Sequence, residues 1–217
     1  MAAGVMKAKS FRWILLIPLL PLAGRGAVYV EPRVSVLYAP DAEVGDLGQT
    51  TDHDYTSLAP GIALGHAFND RIALEIRYAR VTDFTQHKLA PDFRIFPGMP
   101  VTPQVTRPYS LTLESDLFSL ALPITVWTGE RWSVALTPLV MHESTHVVVR
   151  DGILPNTLTV PNPPPIVDRT DRGLRPAAEF GLSLRLSPRA AARFHYTYGA
   201  LAHYDAHLFG AGLGWTF

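Results

Sequence analysis

The final stretch of the sequence, 207–217, alternates between two kinds of side chain. One set consists of apolar residues, four of them large: Phe209, Ala211, Leu213, Trp215 and Phe217. The residues between them are mostly small: Leu208, Gly210, Gly212, Gly214 and Thr216. Because successive side chains of a strand point to opposite faces, this pattern predicts a strand with one apolar and one largely small-residue face. Such a strand suits a closed barrel whose outer wall contacts lipid.

The N-terminus carries the pattern of a secretory signal. Three basic residues precede a short apolar run, 13–22, which is followed by small residues at 23–27. A membrane-spanning helix needs about 20 apolar residues, which is more than this run offers. We therefore predict a signal peptide at 1–26 and a barrel domain at 27–217, with an uncleaved N-terminal anchor as the alternative.

Segments of alternating hydrophobicity fill the rest of the chain. We predict eight strands, at about 28–38, 57–68, 71–81, 109–127, 131–149, 173–186, 190–199 and 205–217. Connections near 69, 129 and 188 are short, whereas most of the others are long: 39–56, 82–108 and 150–172. Short turns on one side and mostly long loops on the other are typical of outer-membrane barrels. The predicted fold is all-β, an eight-stranded antiparallel transmembrane β-barrel with its long loops outside the cell.

The fourth predicted strand changes parity along its length. Leu111 and Leu113 share one face, whereas the apolar residues from Phe118 onward fall on the other. A β-bulge between Glu114 and Phe118 would reconcile the two halves.

Two segments near the C-terminus, 177–189 and 193–199, together with the glycine-alternating end, resemble the small outer-membrane β-barrel superfamily. That group includes the OmpA-type transmembrane domain and the opacity-type surface antigens. The resemblance implies a place in the outer membrane of a Gram-negative-type bacterium, in contact with its lipid. It also implies that the last strand engages the barrel-assembly machinery, because Phe217 is similar to the family's assembly signal. It carries over no catalytic residue.

Charged residues fall on the predicted inward face of several strands. Four acids and four bases share this face: Glu31, Arg33, Glu75, Arg77, Glu143, Glu179, Arg185 and Arg193. Eight strands leave an interior that side chains can just fill, and buried charges must be paired there. We expect an ion-pair network that plugs the interior, centred on Glu75, Arg77, Glu179 and Arg185 and extended by Arg193 and Glu143. For Glu31 and Arg71, a place at the wet periplasmic rim is an equally good expectation.

The segment His142–His146 satisfies the H-E-x-x-H pattern of zinc proteases. That spacing works on a helix, where both histidines share one face. The neighbouring residues favour a strand, on which positions four apart are separated by about 13 Å, too far for two zinc bonds of about 2.1 Å. We therefore expect no metal site here, and interfacial positions for His142 and His146.

His142 and Ser144 are also similar to the His-x-Ser pair of outer-membrane lipid A deacylases, in which a histidine activates a serine on the lipid-facing wall. Parity predicts that both residues face outward. The family pattern continues with asparagine, where this chain has Thr145, and an acidic partner would have to come from a neighbouring strand, such as Glu114, Asp116 or Asp171. A lipid A deacylase-like hydrolase using His142 and Ser144 is therefore the alternative function.

Composition narrows the remaining possibilities. Nineteen basic and nineteen acidic residues balance, so the net charge offers no attraction to nucleic acid. Neither a phosphate-binding loop nor a metal-ligand spacing is present, and no cofactor is expected. We predict that Trp127, Trp132, Trp215 and Phe217 are aromatic residues at the membrane interface.

These observations favour a non-enzymatic outer-membrane protein that acts in envelope structure or in surface interaction through its extracellular loops. Its surface ligand is not indicated by the sequence. A narrow solute channel is a second alternative, which the inward charges disfavour.

Overall fold

The computed structural model describes residues 26–39, 49–50, 56–91, 106–151 and 165–217. Its strands are β1 (Ala27–Tyr38), β2 (Gln49–Thr50), β3 (Thr56–Ala67), β4 (Ala73–Pro91), β5 (Thr106–Ala121), β6 (Ile124–Thr128), β7 (Trp132–Asp151), β8 (Val167–Arg185), β9 (Ala190–Ala200) and β10 (Asp205–Thr216). Apart from Gly26, the predicted signal peptide lies outside these residues. No helix in the described ranges is long and apolar enough to cross a membrane.

The strands close into a barrel through antiparallel pairs. Going round the wall, β1 pairs with β3, β3 with β4, β4 with β5, and β5 with β7. The circuit continues through β8, β9 and β10 back to β1. A break at Leu122 and Pro123 separates β5 from β6, which continues the same wall strand beside β7, and β2 adds a two-residue ladder to β4. The described residues thus form eight wall strands, and the predicted fold is confirmed.

The two ends of the barrel differ in their connections. Short turns join β3 to β4, β6 to β7 and β8 to β9, and we call this end the turn end. The opposite, loop end carries the three longer connections and the short turn Leu201–Tyr204.

Large apolar side chains cover the outer wall. They include Val34, Leu58, Ile76, Leu120, Val140, Leu174, Phe180, Phe194 and Phe209, all of them exposed. Soluble monomers rarely expose a continuous apolar surface of this extent, whereas lipid is its natural environment.

On one side of the barrel, the register between strands marks where this apolar belt ends. Tyr78, Phe118, His142 and Leu174 form one cross-strand row, and the next row toward the loop end is Arg80, Asp116, Ser144 and Arg172. The outer wall therefore changes from apolar to polar within a single row.

Beyond that boundary four strands continue, and we call this part the four-strand extension. It comprises residues 80–91, 106–116, 144–151 and 167–172. The predicted strands 71–81 and 173–186 were too short, and the predicted loops at 82–108 and 150–172 correspondingly too long. On β4, β5 and β7 the reason is that the extension has a polar outer face and a largely apolar inner one, the reverse of the pattern in the belt. On β8 both faces of 168–172 are polar, so the sequence there shows no alternation at all.

The predicted bulge in the fourth strand is wrong in its position. β5 pairs with β7 through Glu114–Phe118 without a break, and with β4 from Ser115 onward. The register shift lies instead on β4, between Val81 and Phe84, which face β5 at Ser115 and Leu113. The parity of β5 is continuous because Leu111 and Leu113 point into the lumen, where they are fully buried.

The interior has two layers. Toward the loop end it is apolar, built by Leu37, Ala59, Val81, Phe84, Leu111, Leu113, Leu117, Leu139, Met141, Val147, Val149 and Leu208, among others. Toward the turn end it is charged. This layering puts a dry core above an ionic cluster inside one barrel.

Candidate functional site: the barrel interior and its two ends

The ionic cluster consists of three carboxylates and three guanidinium groups. Its members are Glu31, Arg33, Glu75, Arg77, Glu179 and Arg193. Arg77 lies between two acids: its Nε is 2.5 Å from Glu75 Oε2, and its Nη1 and Nη2 donate to Glu179 at 2.8 and 3.0 Å. The bidentate contact with Glu179 is the geometry in which arginine binds a carboxylate most strongly.

Two further arginines neutralise the remaining carboxylate charge. Arg193 Nη1 is 2.7 Å from Glu31 Oε2 and 3.1 Å from Glu75 Oε1. Arg33 Nε is 2.7 Å from Glu31 Oε1, and its Nη atoms lie 3.3 and 3.4 Å from Glu75 and Glu179. With three charges of each sign, the cluster is neutral as a whole, which is the condition for keeping charges out of water.

Neutral side chains complete the cluster. The Tyr29 hydroxyl donates to Glu75, and the guanidinium of Arg193 lies 4.6 Å from the centre of the Tyr29 ring. Thr197 donates to Glu179 at 2.9 Å. Ser35 Oγ lies 3.0 Å from His195 Nε2 on the loop-end side.

The structure brings together Glu75, Arg77, Glu179 and Arg193, but Arg185 is not among them. Arg185 is the last residue of β8 and is exposed at the turn end. Arg33 and Arg193 approach the carboxylates in its place. Glu31, for which the rim was an equal expectation, is fully buried in the cluster, whereas Arg71 is exposed at the rim.

The glycines of β10 make room for this cluster. A Cβ added to Gly212 would lie 2.6 Å from Glu31 Oε1, and one added to Gly214 would lie 3.6 Å from Glu31 Oε2. A Cβ at Gly210 would collide with Ser35 and His195. The alternating glycines of β10 predicted a barrel strand. They also leave the space that charged side chains of other strands fill in the lumen, and this role was not predicted from the sequence.

Glu143 lies apart from the ionic cluster and closes the loop end. Its carboxylate accepts hydrogen bonds from Thr145 Oγ1 at 2.9 Å and from the backbone N–H of Ala202 at 3.0 and 3.1 Å. Arg175 Nε lies 3.5 Å from Glu143 Oε2. The carboxylate therefore holds the turn Leu201–Tyr204 inside the mouth of the barrel.

Tyr204 holds the same turn from its other side. The Tyr204 hydroxyl lies 2.9 Å from Ser115 Oγ, which lies 2.8 Å from Thr145 Oγ1. The Phe84 ring packs edge-on against Tyr204, with 5.7 Å between ring centres. Burial raises the pKa of the Tyr204 hydroxyl, so it stays protonated within this hydrogen-bonded chain.

The H-E-x-x-H segment lies on β7. His142, Ser144 and His146 are on the outer wall, whereas Glu143 and Thr145 are fully buried inside. His146 Nε2 lies 2.9 Å from Asp168 Oδ1. The two histidines are thus on one face of a strand rather than one turn apart on a helix.

The environment of Ser144 does not assemble a hydrolase triad. Ser144 lies between Asp116 and Arg172 in the register, but Asp116 accepts a hydrogen bond from Tyr78 at 2.7 Å. His142 lies between Phe118 and Leu174. Within the described part of the chain, His142 forms no hydrogen bond with an acid.

The four aromatic residues predicted at the interface all lie on the outer wall beside the turn end. Trp127, Trp132, Trp215 and Phe217 are each exposed. A separate aromatic group surrounds His207 toward the loop end, where the hydroxyl of Tyr196 lies 2.9 Å from His207 Nδ1. The anchoring role of the first four stays a prediction.

An open cavity of about 1120 Å³ occupies the turn-end half of the lumen. Its inner limit is the ionic cluster, and its walls carry mainly small residues, such as Ala135, Ser133, Gly181 and Ser183. A smaller cavity of about 60 Å³ separates the cluster from the apolar layer. The lumen is therefore open at the turn end and filled toward the loop end.

Comparison with solved structures identifies the same architecture elsewhere. The chain is similar to the crystal structure of Neisserial surface protein A (NspA), with a TM-score of 0.52 and 12% identity over 88% of this chain and 97% of that one. It is similar to the N-terminal β-barrel domain of Pseudomonas aeruginosa OprF, with a TM-score of 0.50, 11% identity and the same coverage. No protein-family model matches the sequence, and no curated protein matches it significantly.

At these identities the likeness concerns the fold. The chain has the fold of a small outer-membrane β-barrel: eight strands, an apolar outer belt and a lumen that is filled toward the loop end.

Proposed function

We propose that this chain is a non-enzymatic outer-membrane protein that acts in surface interaction through its loop end. The apolar belt supports residence in a membrane, because it needs lipid contact along its whole circumference. We place the turn end toward the periplasm, so that the long connections of the loop end face the outside of the cell. Engagement of β10 by the barrel-assembly machinery stays a prediction.

The observation that carries the proposal is the four-strand extension. From Ser144 to Asp151, β7 extends roughly 25 Å along its own axis beyond the belt, at about 3.3 Å per residue, which a tilt of roughly 40° reduces to a rise of about 20 Å. Membrane anchoring needs no such rise. The extension is stiffened by an apolar inner face, where Val147 and Val149 are fully buried.

The outer face of the extension is suited to contact with a polar partner. It carries the Arg80–Glu114 ion pair, the Thr85–Thr112 hydroxyl pair at 2.8 Å and the His146–Asp168 contact. A rigid sheet that presents hydroxyls and both signs of charge resembles the polar rim of a protein interface more than a lipid-facing wall.

The filled lumen supports a non-conducting role. The neutral ionic cluster and the apolar layer lie in series, and the turn Leu201–Tyr204 covers the apolar layer. A path for solutes would have to disrupt all three.

The test is binding by vesicles that carry the barrel. Vesicles with the wild-type chain should bind a component of a panel of matrix proteins and surface glycans. Deleting 92–105 and 152–164 in a chain that also carries Thr85→Val, Thr112→Val and His146→Ala alters both the long connections and the outer face of the extension. This variant should lose that binding while keeping the heat-modifiable gel shift of a folded barrel. Equal binding by this variant, or no binding to any component, would contradict the proposal.

A further inference from the structure

The three tight turns at the turn end share one feature. Each delivers an arginine to the start of the outgoing strand: Arg71, Arg131 and Arg189. Each of these arginines accepts a backbone hydrogen bond from the neighbouring wall strand through its carbonyl oxygen. The bonds run from Thr125 N to Arg71 O at 2.7 Å, from Arg185 N to Arg131 O at 2.7 Å, and from Thr216 N to Arg189 O at 2.8 Å. The three residues therefore occupy equivalent positions, held by the sheet itself.

These arginines lie at the mouth of the large cavity, where Arg71 precedes β4 and the other two precede β7 and β9. All three line it and are exposed, as is Arg185, which joins them from the end of β8. We call these four residues the arginine ring. None of them forms an ion pair with another residue of the described ranges.

The charge around the cavity is unbalanced at the mouth. Two acids, Asp70 and Glu130, also line it there, so four positive charges face two negative ones. The ionic cluster at the inner limit adds three charges of each sign and leaves the difference unchanged. A low-dielectric barrel wall focuses such an excess into the opening.

The dimensions of the mouth allow the arginines to converge. Eight strands about 4.8 Å apart and tilted by roughly 40° give a barrel roughly 16 Å across. An arginine side chain from one wall can reach toward the centre of such an opening. The small side chains of the cavity wall leave the space behind the ring free.

We propose that the arginine ring is a binding site for a phosphoryl anion that enters from the turn end. A terminal phosphoryl group carries up to two charges on three oxygens, and the phosphodiester of a lipid headgroup carries one charge on two, so either can accept hydrogen bonds from more than one guanidinium group. The group can belong to a soluble phosphate compound or to the headgroup of a neighbouring lipid. This site is independent of the proposed role of the loop end.

Calorimetry with inorganic pyrophosphate tests the site directly. The barrel refolded in detergent should bind pyrophosphate at low salt, and R131Q/R189Q should bind at least tenfold more weakly. R172Q, which removes an exposed arginine from the outer wall at the loop end, is the matched control and should bind like wild type. A heat-modifiable gel shift verifies that each variant is folded.

Two further measurements secure the interpretation. R131K/R189K keeps the charge and should retain most of the binding, which added salt should weaken. In nanodiscs, competition by phosphatidylglycerol against a phosphatidylcholine background would assign the site to a lipid headgroup, and unchanged pyrophosphate binding would assign it to a soluble phosphate. The proposal is overturned if wild type binds neither probe, or if R131Q/R189Q binds as well as R172Q.

Discussion

The carboxylate of Glu31 occupies the space that a side chain at Gly212 would fill. A Cβ added to Gly212 would lie 2.6 Å from Glu31 Oε1 and 3.0 Å from the carbonyl oxygen of Pro32. In the register, Gly212 lies between Arg33 on β1 and Arg193 on β9, the two arginines that neutralise Glu31. A glycine at this position thus lets three charged side chains meet against the wall of β10.

Gly212→Ala should therefore destabilise the barrel although it adds a single methyl group. Overpacking of a fixed interior costs about 1–3 kcal/mol, and Glu31 cannot move aside without leaving both arginines. The measurement is the urea midpoint of the detergent-refolded barrel. Gly181→Ala is the control, because a Cβ there would meet its nearest neighbour at 3.9 Å. Equal midpoints for the two variants would show that the cluster tolerates displacement.

Arg77→Met should be strongly destabilising, whereas Arg185→Met should not. Removing Arg77 leaves Glu75 and Glu179 with less compensating charge, and breaking a buried ion pair costs about 3–5 kcal/mol. Arg185 is exposed and should contribute within about 0.5 kcal/mol. Urea unfolding of both variants separates the two cases. A large loss of stability in Arg185→Met would support the prediction from sequence that Arg185 belongs to the ion-pair network.

The difference between these arginines illustrates what sequence alone could provide. Alternation along each strand predicts that Glu75, Arg77 and Glu179 point inward, because side-chain direction is a local property, and all three are buried in the structure. Which inward charges meet depends on the stagger between strands, which alternation does not encode. The stagger is the reason why Arg193 reaches the carboxylates of the cluster whereas Arg185 does not.

The four-strand extension was missed for a different physical reason. Alternation predicts a membrane strand when its apolar side chains point outward, as lipid requires. Above the belt the outer face is polar, and on β4 the apolar side chains point inward, so the polar residues Asp83 and Thr85 make the segment after Val81 resemble a loop. The bulge on β4 between Val81 and Phe84 further disturbs the alternation there.

Ser144→Ala should leave the release of acyl chains from lipid A unchanged, because we expect the wild-type chain to have no lipid A deacylase activity. His142 lies between Phe118 and Leu174 in the register, and no acid among the residues that the structure describes orients it as a general base requires. The assay is release of acyl chains from lipid A by the barrel in mixed micelles. Activity in wild type that disappears in Ser144→Ala would establish the hydrolase alternative.

Glu143→Ala should loosen the turn Leu201–Tyr204 without unfolding the barrel. The substitution removes the acceptor of the Ala202 N–H and of the Thr145 hydroxyl, and an unsatisfied buried donor costs about 1–3 kcal/mol. Hydrogen exchange at Ala202 should accelerate by one to two orders of magnitude, while exchange in the β9 ladder stays slow.

The same variant tests whether this turn contributes to closure of the lumen. In planar bilayers wild type should show no steady conductance, and Glu143→Ala should show none either, because the apolar layer and the ionic cluster still fill the lumen below the turn. Glu130→Ala, at the exposed turn between β6 and β7, is the control for loss of a carboxylate. A steady conductance in wild type would favour the channel alternative, and one that appears only in Glu143→Ala would show that the turn is the principal barrier.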